Sequence, residues 1–135
     1  MLRFLKDESG QSVVEFALVA PILILLLCGI IDFAWILSAQ LATDNCAREG
    51  ARYASISTDY ENLSAETAER VLEVASASIK SGIDTDVTFS NPSDPGSGDV
   101  TVTVRSSVKA LTVVASTIFG GDKVKLSSSV TMRAG

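Results

Sequence analysis

Carboxylates are the side chains of this chain that could do chemistry, because histidine is absent from all 135 residues. Without an imidazole the chain lacks Ser-His and Cys-His catalytic pairs and histidine metal sites. Lysine is the remaining base that could activate a serine, yet no Ser-x-x-Lys motif opens a predicted helix. Nothing places two of the sixteen acidic residues beside a predicted cleft, as a carboxylate hydrolase would need. The sequence therefore predicts no catalytic residues and no enzyme.

Four aspartates surround a turn-rich stretch and are the candidate cation ligands: Asp84, Asp86, Asp94 and Asp99. Their spacing does not match an EF-hand loop, which needs alternate ligands and a terminal glutamate. Turns accept aspartate readily, so we interpret these residues as solvated loop acids. We predict no metal site and no cofactor, with calcium binding by this region left open.

The two cysteines, Cys28 and Cys46, are 18 residues apart. If one helix carries both, they stand about 27 Å apart, which is too far for a disulfide within the chain. We interpret both as free, small hydrophobic residues.

A long apolar block requires an element of its own. From Phe16 to Leu37 there are 22 residues with one charge, Asp32. As a helix they would span about 33 Å, which exceeds a hydrocarbon core of about 30 Å. Because Arg3 and Lys6 precede the block, the N-terminus is predicted in the cytoplasm and the C-terminal domain outside. The sequence thus predicts a single transmembrane helix in contact with membrane lipid.

Four points about this block remain interpretations. A cleaved signal peptide is disfavoured because its apolar region would be only about 7–15 residues long. Glu15 is interpreted as an interfacial residue of the first helical turn, or as the partner of a positive charge in an assembly. Asp32 is interpreted as reaching lipid headgroups or water at the outer end. A kink is predicted at Pro21, which lacks a backbone donor.

The remaining pattern predicts an α+β fold in which the long helix continues into a small head with a second helix and a three-stranded antiparallel sheet. The expected elements are a helix over 15–57, a helix over 65–81 capped by Ser64, strands over 83–89, 100–104 and 124–132, and a short helix over 111–119. The predicted regions are 1–10 as a cytoplasmic leader, 11–38 as the transmembrane region and 39–135 as the extracytoplasmic domain. Arg48, Glu49 and Arg52 are interpreted as a solvated face whose charges pair with one another.

Three stretches carry a resemblance to a known family. Gly10 is followed five positions later by Glu15 and then by the apolar helix, which resembles the prepilin peptidase pattern. The stretch 15–21, followed by 29–33 and by 47–54, closely resembles the TadE-like family of minor pilins, or pseudopilins, of the tight-adherence (Flp) pilus system. The resemblance is strong over about the first 55 residues.

The resemblance implies a processing site, an assembly residue and partners. Prepilin peptidase would cut between Gly10 and Gln11, and Glu15, followed by Phe16, would pair with the new N-terminal amine of a neighbouring subunit. Two residues depart from the pilin pattern. Position 11 is Gln where many pilins have Phe, and position 16 is Phe where the major Flp pilins have Tyr. The implied partners are other pilin and pseudopilin subunits and the Tad secretion apparatus.

Two functions from different classes follow from the sequence. The leading hypothesis is a structural subunit of a Flp-type pilus, in the inner membrane or incorporated into the fibre. The alternative is a permanently membrane-anchored extracytoplasmic scaffold or binding module of a secretion system. The acidic balance of sixteen acidic to eleven basic residues argues against a nucleic-acid partner. No small-molecule substrate is predicted.

Overall fold

The structure is a computed structural model that describes residues 8–135, with side chains described from residue 10 onward. Residues 1–7 of the predicted leader, including Arg3 and Lys6, lie outside the described residues. The elements in chain order are α1 (Glu8–Ile56), α2 (Leu63–Val74), α3 (Ala77–Lys80), β1 (Asp84–Phe89), β2 (Asp99–Lys109), α4 (Val113–Ile118) and β3 (Lys123–Arg133). A long apolar helix, a second helix and a three-stranded sheet confirm the predicted α+β class.

Helix α1 is continuous over 49 residues and passes through Pro21 without interruption. It begins seven residues before the predicted start at 15, because the polar stretch before Glu15 is already helical. The proline removes one backbone donor from the helix, so the carbonyl one turn earlier lacks its usual partner. The kink itself remains a prediction.

The sheet is antiparallel in the order β1-β2-β3, with β2 at its centre. Alternate residues of β2 point toward the helices and are buried: Val100, Val102, Val104, Ser106 and Val108. The opposite face carries hydroxyl groups that pair across strands, as Thr101 does with Thr131 at 2.8 Å. The predicted alternation of apolar and polar residues therefore separates the core face from the outer face.

A stripe of small residues brings α1 close to the sheet. Ala39, Thr43, Ala47, Ala51 and Ala54 recur at spacings of three and four, and each is at most 2% exposed. The hydroxyl of Thr43 donates to the carbonyl of Ala39 and lies 2.6 Å from the hydroxyl of Ser106, so this buried polar contact is satisfied.

The predicted helix over 65–81 is wrong in its continuity and in its cap. It is divided into α2 and α3, because Ala75 and Ser76 adopt extended backbone conformations. The break redirects the chain so that Ile79 is completely buried. Helix α2 starts at Leu63, after Asn62, so Ser64 lies inside the helix instead of capping it.

The course of the chain gives the head two distinct ends. At the stem-distal end, the backbone N–H of Gly135 donates to the carbonyl of Ser55 at 3.0 Å. Strand β2 runs from there to Lys109, whose carbonyl accepts a 3.1 Å hydrogen bond from the indole of Trp35. The connection from β2 to β3, which contains α4, therefore forms the stem-proximal end, beside the middle of α1.

Gly50 lies where α1, α2 and β2 meet, and replacing it with valine should destabilise the head. A Cβ at this position would lie 2.9 Å from Val71 Cγ2 and 3.1 Å from Val102 Cγ1. We expect Gly50→Val to cost about 1–3 kcal/mol in the free energy of unfolding, as overpacked cores do. The measurement is urea unfolding in detergent. Unfolding is monitored through thiol labelling of Cys46, which is buried in the folded state, in a Cys28→Ala background.

The matched control is Gly29→Val in the same helix, since nothing lies within 4 Å of a Cβ at Gly29. Equal stability of the two valine variants would contradict the close approach at Gly50.

Candidate functional site: the exposed stem of α1 and its acidic residues

The N-terminal part of α1, residues 11–31 and here named the stem, exposes apolar side chains on every side. Thirteen large hydrophobic residues between Val13 and Ile31 are each 50–71% exposed. No other part of the described chain covers them. The helix is long and apolar enough to cross a membrane, and its most apolar window is not buried in the protein. Such a surface is expected to lie in lipid or against apolar helices of other molecules.

The predicted processing and assembly residues lie at the start of this stem. Gly10, Gln11, Glu15 and Phe16 all belong to α1, so the Gly10–Gln11 bond is helical. The side-chain amide of Gln11 donates to the Glu15 carboxylate at 3.3 Å. Phe16 is 71% exposed. The carboxylate of Glu15 is exposed and remains accessible to a partner.

Asp32 differs from Glu15 because it is only 4% exposed. Its Oδ1 accepts hydrogen bonds from the backbone N–H of Leu111 at 3.2 Å and of Thr112 at 3.0 Å. The hydroxyl of Thr112 donates to Oδ2. The interpretation of Asp32 as reaching headgroups or water is therefore wrong: its carboxylate caps the chain entering α4.

A small apolar cleft of about 180 Å³ lies beside Asp32, between α1 and α4. Its walls include Phe33 and Ile36 of α1 and Ala115 and Ile118 of α4. Leu37, the predicted end of the transmembrane helix, is half exposed a turn beyond Phe33. The head thus contacts α1 from the level of Asp32 onward.

A second, open groove lies between α1 and α2. Arg70 of α2 donates to Glu49 of α1 at 2.8 Å and to Glu73 at 2.9 Å. The hydroxyl of Tyr53 donates to Glu66 at 3.0 Å. The interpretation of Glu49 as paired within its own helix is wrong, because an α2 residue distant in sequence supplies its partner.

These contacts change proton affinities in the groove. The hydrogen bond from Arg70 lowers the pKa of Glu49, with weaker help from the charges of Arg70 and Arg52. The hydrogen bond to Glu66 raises the pKa of Tyr53. Outside the groove, burial raises the pKa of the Cys46 thiol and so disfavours the reactive thiolate.

The four aspartates named as candidate cation ligands are dispersed. Asp84 pairs in register with Arg105 of β2, whereas Asp99 begins β2, six residues earlier. At strand spacing these levels are about 20 Å apart. Asp94 lies in the turn before β2. Among the side chains described from residue 10 onward, no three of Asp, Glu or Cys come together in a group that could hold a metal ion.

The sequence did not allow the hydrogen-bond partners of Asp32 and Glu49 to be predicted. Leu111 and Thr112 contact Asp32 chiefly through backbone N–H groups, which carry no side-chain signature. The order Thr112-Val113 at the start of a predicted short helix was the available signal, because orphan N–H groups there need an acceptor.

Comparison with known proteins identifies the segment that contains the stem. Residues 10–52 match the family model described as TadE-like protein. No curated protein and no solved structure matches the chain. The matched segment covers the stem, Glu15, Asp32 and most of the helical face that packs on the sheet.

Removing the Asp32 carboxylate should release the chain around α4. In Asp32→Leu the part-buried N–H groups of Leu111 and Thr112 lose their acceptor, at a cost of up to about 1–3 kcal/mol for each. We expect hydrogen exchange at these two amides to accelerate on the order of tenfold or more. The measurement is site-resolved exchange of the full chain in detergent.

Asp32→Asn is the matched control, because its amide oxygen still accepts hydrogen bonds. Unchanged exchange in Asp32→Leu would contradict the capping role.

The Glu49–Arg70 pair predicts a pH-dependent stability difference. Because the pKa of Glu49 is lowered in the folded state, its contribution is present at neutral pH and is lost as the pH falls through the folded-state pKa. Glu49→Gln should lower the Tm slightly at pH 7, and the difference from wild type should vanish in acid. Thermal unfolding across pH checks this, with Glu61→Gln as an exposed control. A difference that persists in acid would rule out the ion pair as its cause.

The family match thus confirms the resemblance drawn from the three sequence stretches, and residues 10–52 of this chain form a TadE-like segment.

Proposed function

We propose that this chain is a TadE-like minor pilin or pseudopilin, a non-enzymatic structural subunit for assembly of a Flp-type tight-adherence pilus. The TadE-like match associates it with the Tad pilus system. The observation that carries the finer proposal is the stem, whose apolar residues are exposed on all sides and whose single acid, Glu15, is accessible. A helix of this kind can lie first in lipid and then against equivalent helices of other subunits.

The proposed processing step is hydrolysis of the Gly10–Gln11 bond by prepilin peptidase at the cytoplasmic face of the inner membrane. It leaves an ammonium group on Gln11, four residues before Glu15, and so about one helical turn away. Because the bond is helical, the first turn has to unwind before an enzyme can cut it. Gly10 lowers the cost of unwinding, since glycine is a poor helix former.

In the proposed assembly, the Glu15 carboxylate of one subunit accepts the ammonium of a neighbour. An unpaired carboxylate among apolar helices is costly, and its pairing with an ammonium offsets that cost. A pair of this kind fixes the axial register of adjacent helices more than it adds stability. Within one chain, the side-chain amide of Gln11 donates to Glu15. In the assembly, the new N-terminal amine of Gln11 would instead contact the Glu15 carboxylate of a neighbouring subunit.

The alternative is a permanently anchored scaffold with an extracytoplasmic head. The observation that favours it is the helical state of the Gly10–Gln11 bond, which protects that bond from proteolysis while the turn is formed. The two functions differ in whether the bond is cut and whether Glu15 is needed for association with other subunits.

Intact mass and N-terminal sequence separate these functions in protein extracted from cells that make its own secretion system. A start at Gln11 supports processing, and a start at Met1 favours the permanent anchor. A start at Gln40, after removal of the whole apolar block, would contradict both.

Glu15→Ala should reduce recovery of this subunit with sheared pili, or with other pilins, at least tenfold while its level in membranes is retained, because removing one partner leaves the buried ammonium unpaired at a cost of about 3–5 kcal/mol. Glu61→Ala, an exposed acid in the head, is the matched control and should behave as wild type. Equal recovery of the two variants would contradict the assembly role of Glu15.

A further inference from the structure

The connection between β2 and β3 exposes large apolar side chains at the stem-proximal end of the head. This connection, residues 110–121 and here named the α4 loop, contains Leu111, Val113, Ile118 and Phe119, which are 53%, 80%, 73% and 55% exposed. Of these four residues, Ile118 and Phe119 line the cleft beside Asp32, next to Gly29 and Phe33 of α1. Four such residues within nine positions form a patch that water does not favour.

The level of the α4 loop along α1 coincides with the expected edge of the hydrocarbon core. From Val13 to Phe33, α1 exposes a run of large apolar residues on every side; beyond this run, the exposed Leu37 and Leu41 lie one turn apart on a single side of the helix. This run is about 31 Å long in a helix, close to the hydrocarbon thickness of about 30 Å. The loop contacts α1 between Gly29 and Ile36, at the end of that run. It is therefore placed where acyl chains meet headgroups.

Two polar contacts hold the loop at this level. Asp32 accepts the N–H groups of Leu111 and Thr112, and the indole of Trp35 donates to the carbonyl of Lys109. Both side chains belong to α1, so the loop is fixed relative to the stem. Tryptophan is also the residue type that membrane proteins concentrate at the interface.

The charges of the head are arranged along the same axis. Lys109, Lys123 and Lys125 are exposed at the stem-proximal end, beside Asp122. The stem-distal end carries exposed Asp59, Glu61, Asp94 and Asp99, beside Arg133. Lys109 and Lys123 are direct partners in the sheet, a like-charge pairing that is unfavourable in isolation. Anionic phosphates near these lysines would relieve the repulsion.

We propose that the α4 loop is a second membrane contact, in which its apolar side chains enter the boundary of the lipid leaflet and the three lysines bind anionic headgroups. The inference rests on the membrane placement of the stem proposed above. Apolar insertion combined with basic residues is the pattern of interfacial membrane segments. The head is thereby held upright on the bilayer instead of turning freely about α1.

Spin labels on the full chain test this contact in vesicles of phosphatidylcholine and phosphatidylglycerol. In a Cys28→Ala, Cys46→Ala background, single labels are placed at Ile118→Cys, at Ile56→Cys and at Leu23→Cys. Ile118 and Ile56 are matched, since both are 73% exposed, at opposite ends of the head. Power saturation measures collisions of each label with oxygen, which enters lipid, and with a water-soluble nickel complex.

The expected oxygen-to-nickel collision ratio is high for the label at 23, low for the label at 56 and severalfold higher for the label at 118 than for the label at 56, because interfacial segments lie partly in lipid. Replacing the three lysines with glutamine should lower the ratio at 118 in anionic vesicles. A ratio at 118 equal to that at 56, with 23 in lipid, overturns the proposal. A label at 118 shielded from both reagents, with broadening that grows with protein density, indicates a second copy and also overturns it. A water-exposed label at 23 would instead contradict the membrane placement of the stem.

Discussion

The structure depends on one helix, α1, whose first part exposes apolar side chains and whose second part packs against the sheet. Over the stem, α1 presents large apolar side chains in every direction, and from Ala39 onward it presents a stripe of small residues to the sheet. Large residues suit lipid or other helices, whereas alanine, threonine and glycine let β2 and α2 approach the helix backbone closely. Asp32 lies at the change between the two. Its carboxylate is buried without an ionic partner among the described residues and is stabilised by hydrogen bonds from the α4 loop.

This division of α1 explains how a small head can be attached firmly to an apolar helix. The helix supplies one wall of the core, so the head and the anchor share a continuous element instead of being joined by a flexible linker. Contacts at both ends of the head, from Trp35 to Lys109 and from Ser55 to Gly135, fix the sheet along the helix. A force or displacement on the stem is therefore transmitted directly to the head, as the proposed assembly role would require.

The sequence allowed α1 to be predicted from the length of its apolar block, and the three strands from their alternation of apolar and polar residues, although β2 extends five residues beyond its predicted end at 104. The break at Ala75 and Ser76 could not be predicted, since the apolar spacing continues across it and only the burial of Ile79 against the sheet requires the turn. The partners of Asp32 and Glu49 were missed for a related reason. Backbone N–H groups 79 and 80 residues away, and an arginine 21 residues away, leave no local pattern. Gly10, Gln11, Glu15 and Phe16 were named through resemblance to a family, since their spacing alone predicts only the start of a helix.

The change of surroundings at Asp32 is tested most directly by a single-cysteine scan of α1 in sealed membrane vesicles, with a membrane-impermeant thiol reagent and a Cys28→Ala, Cys46→Ala background. We expect no labelling at any position from 13 to 31. Beyond residue 31 we expect labelling with helical periodicity, present at the exposed Leu41 and Arg48 and absent at the buried Ala39 and Thr43. Periodic labelling that continued through residues 13–31 would contradict the account, because it would mean that the stem has a water-facing side and packs against protein on the other.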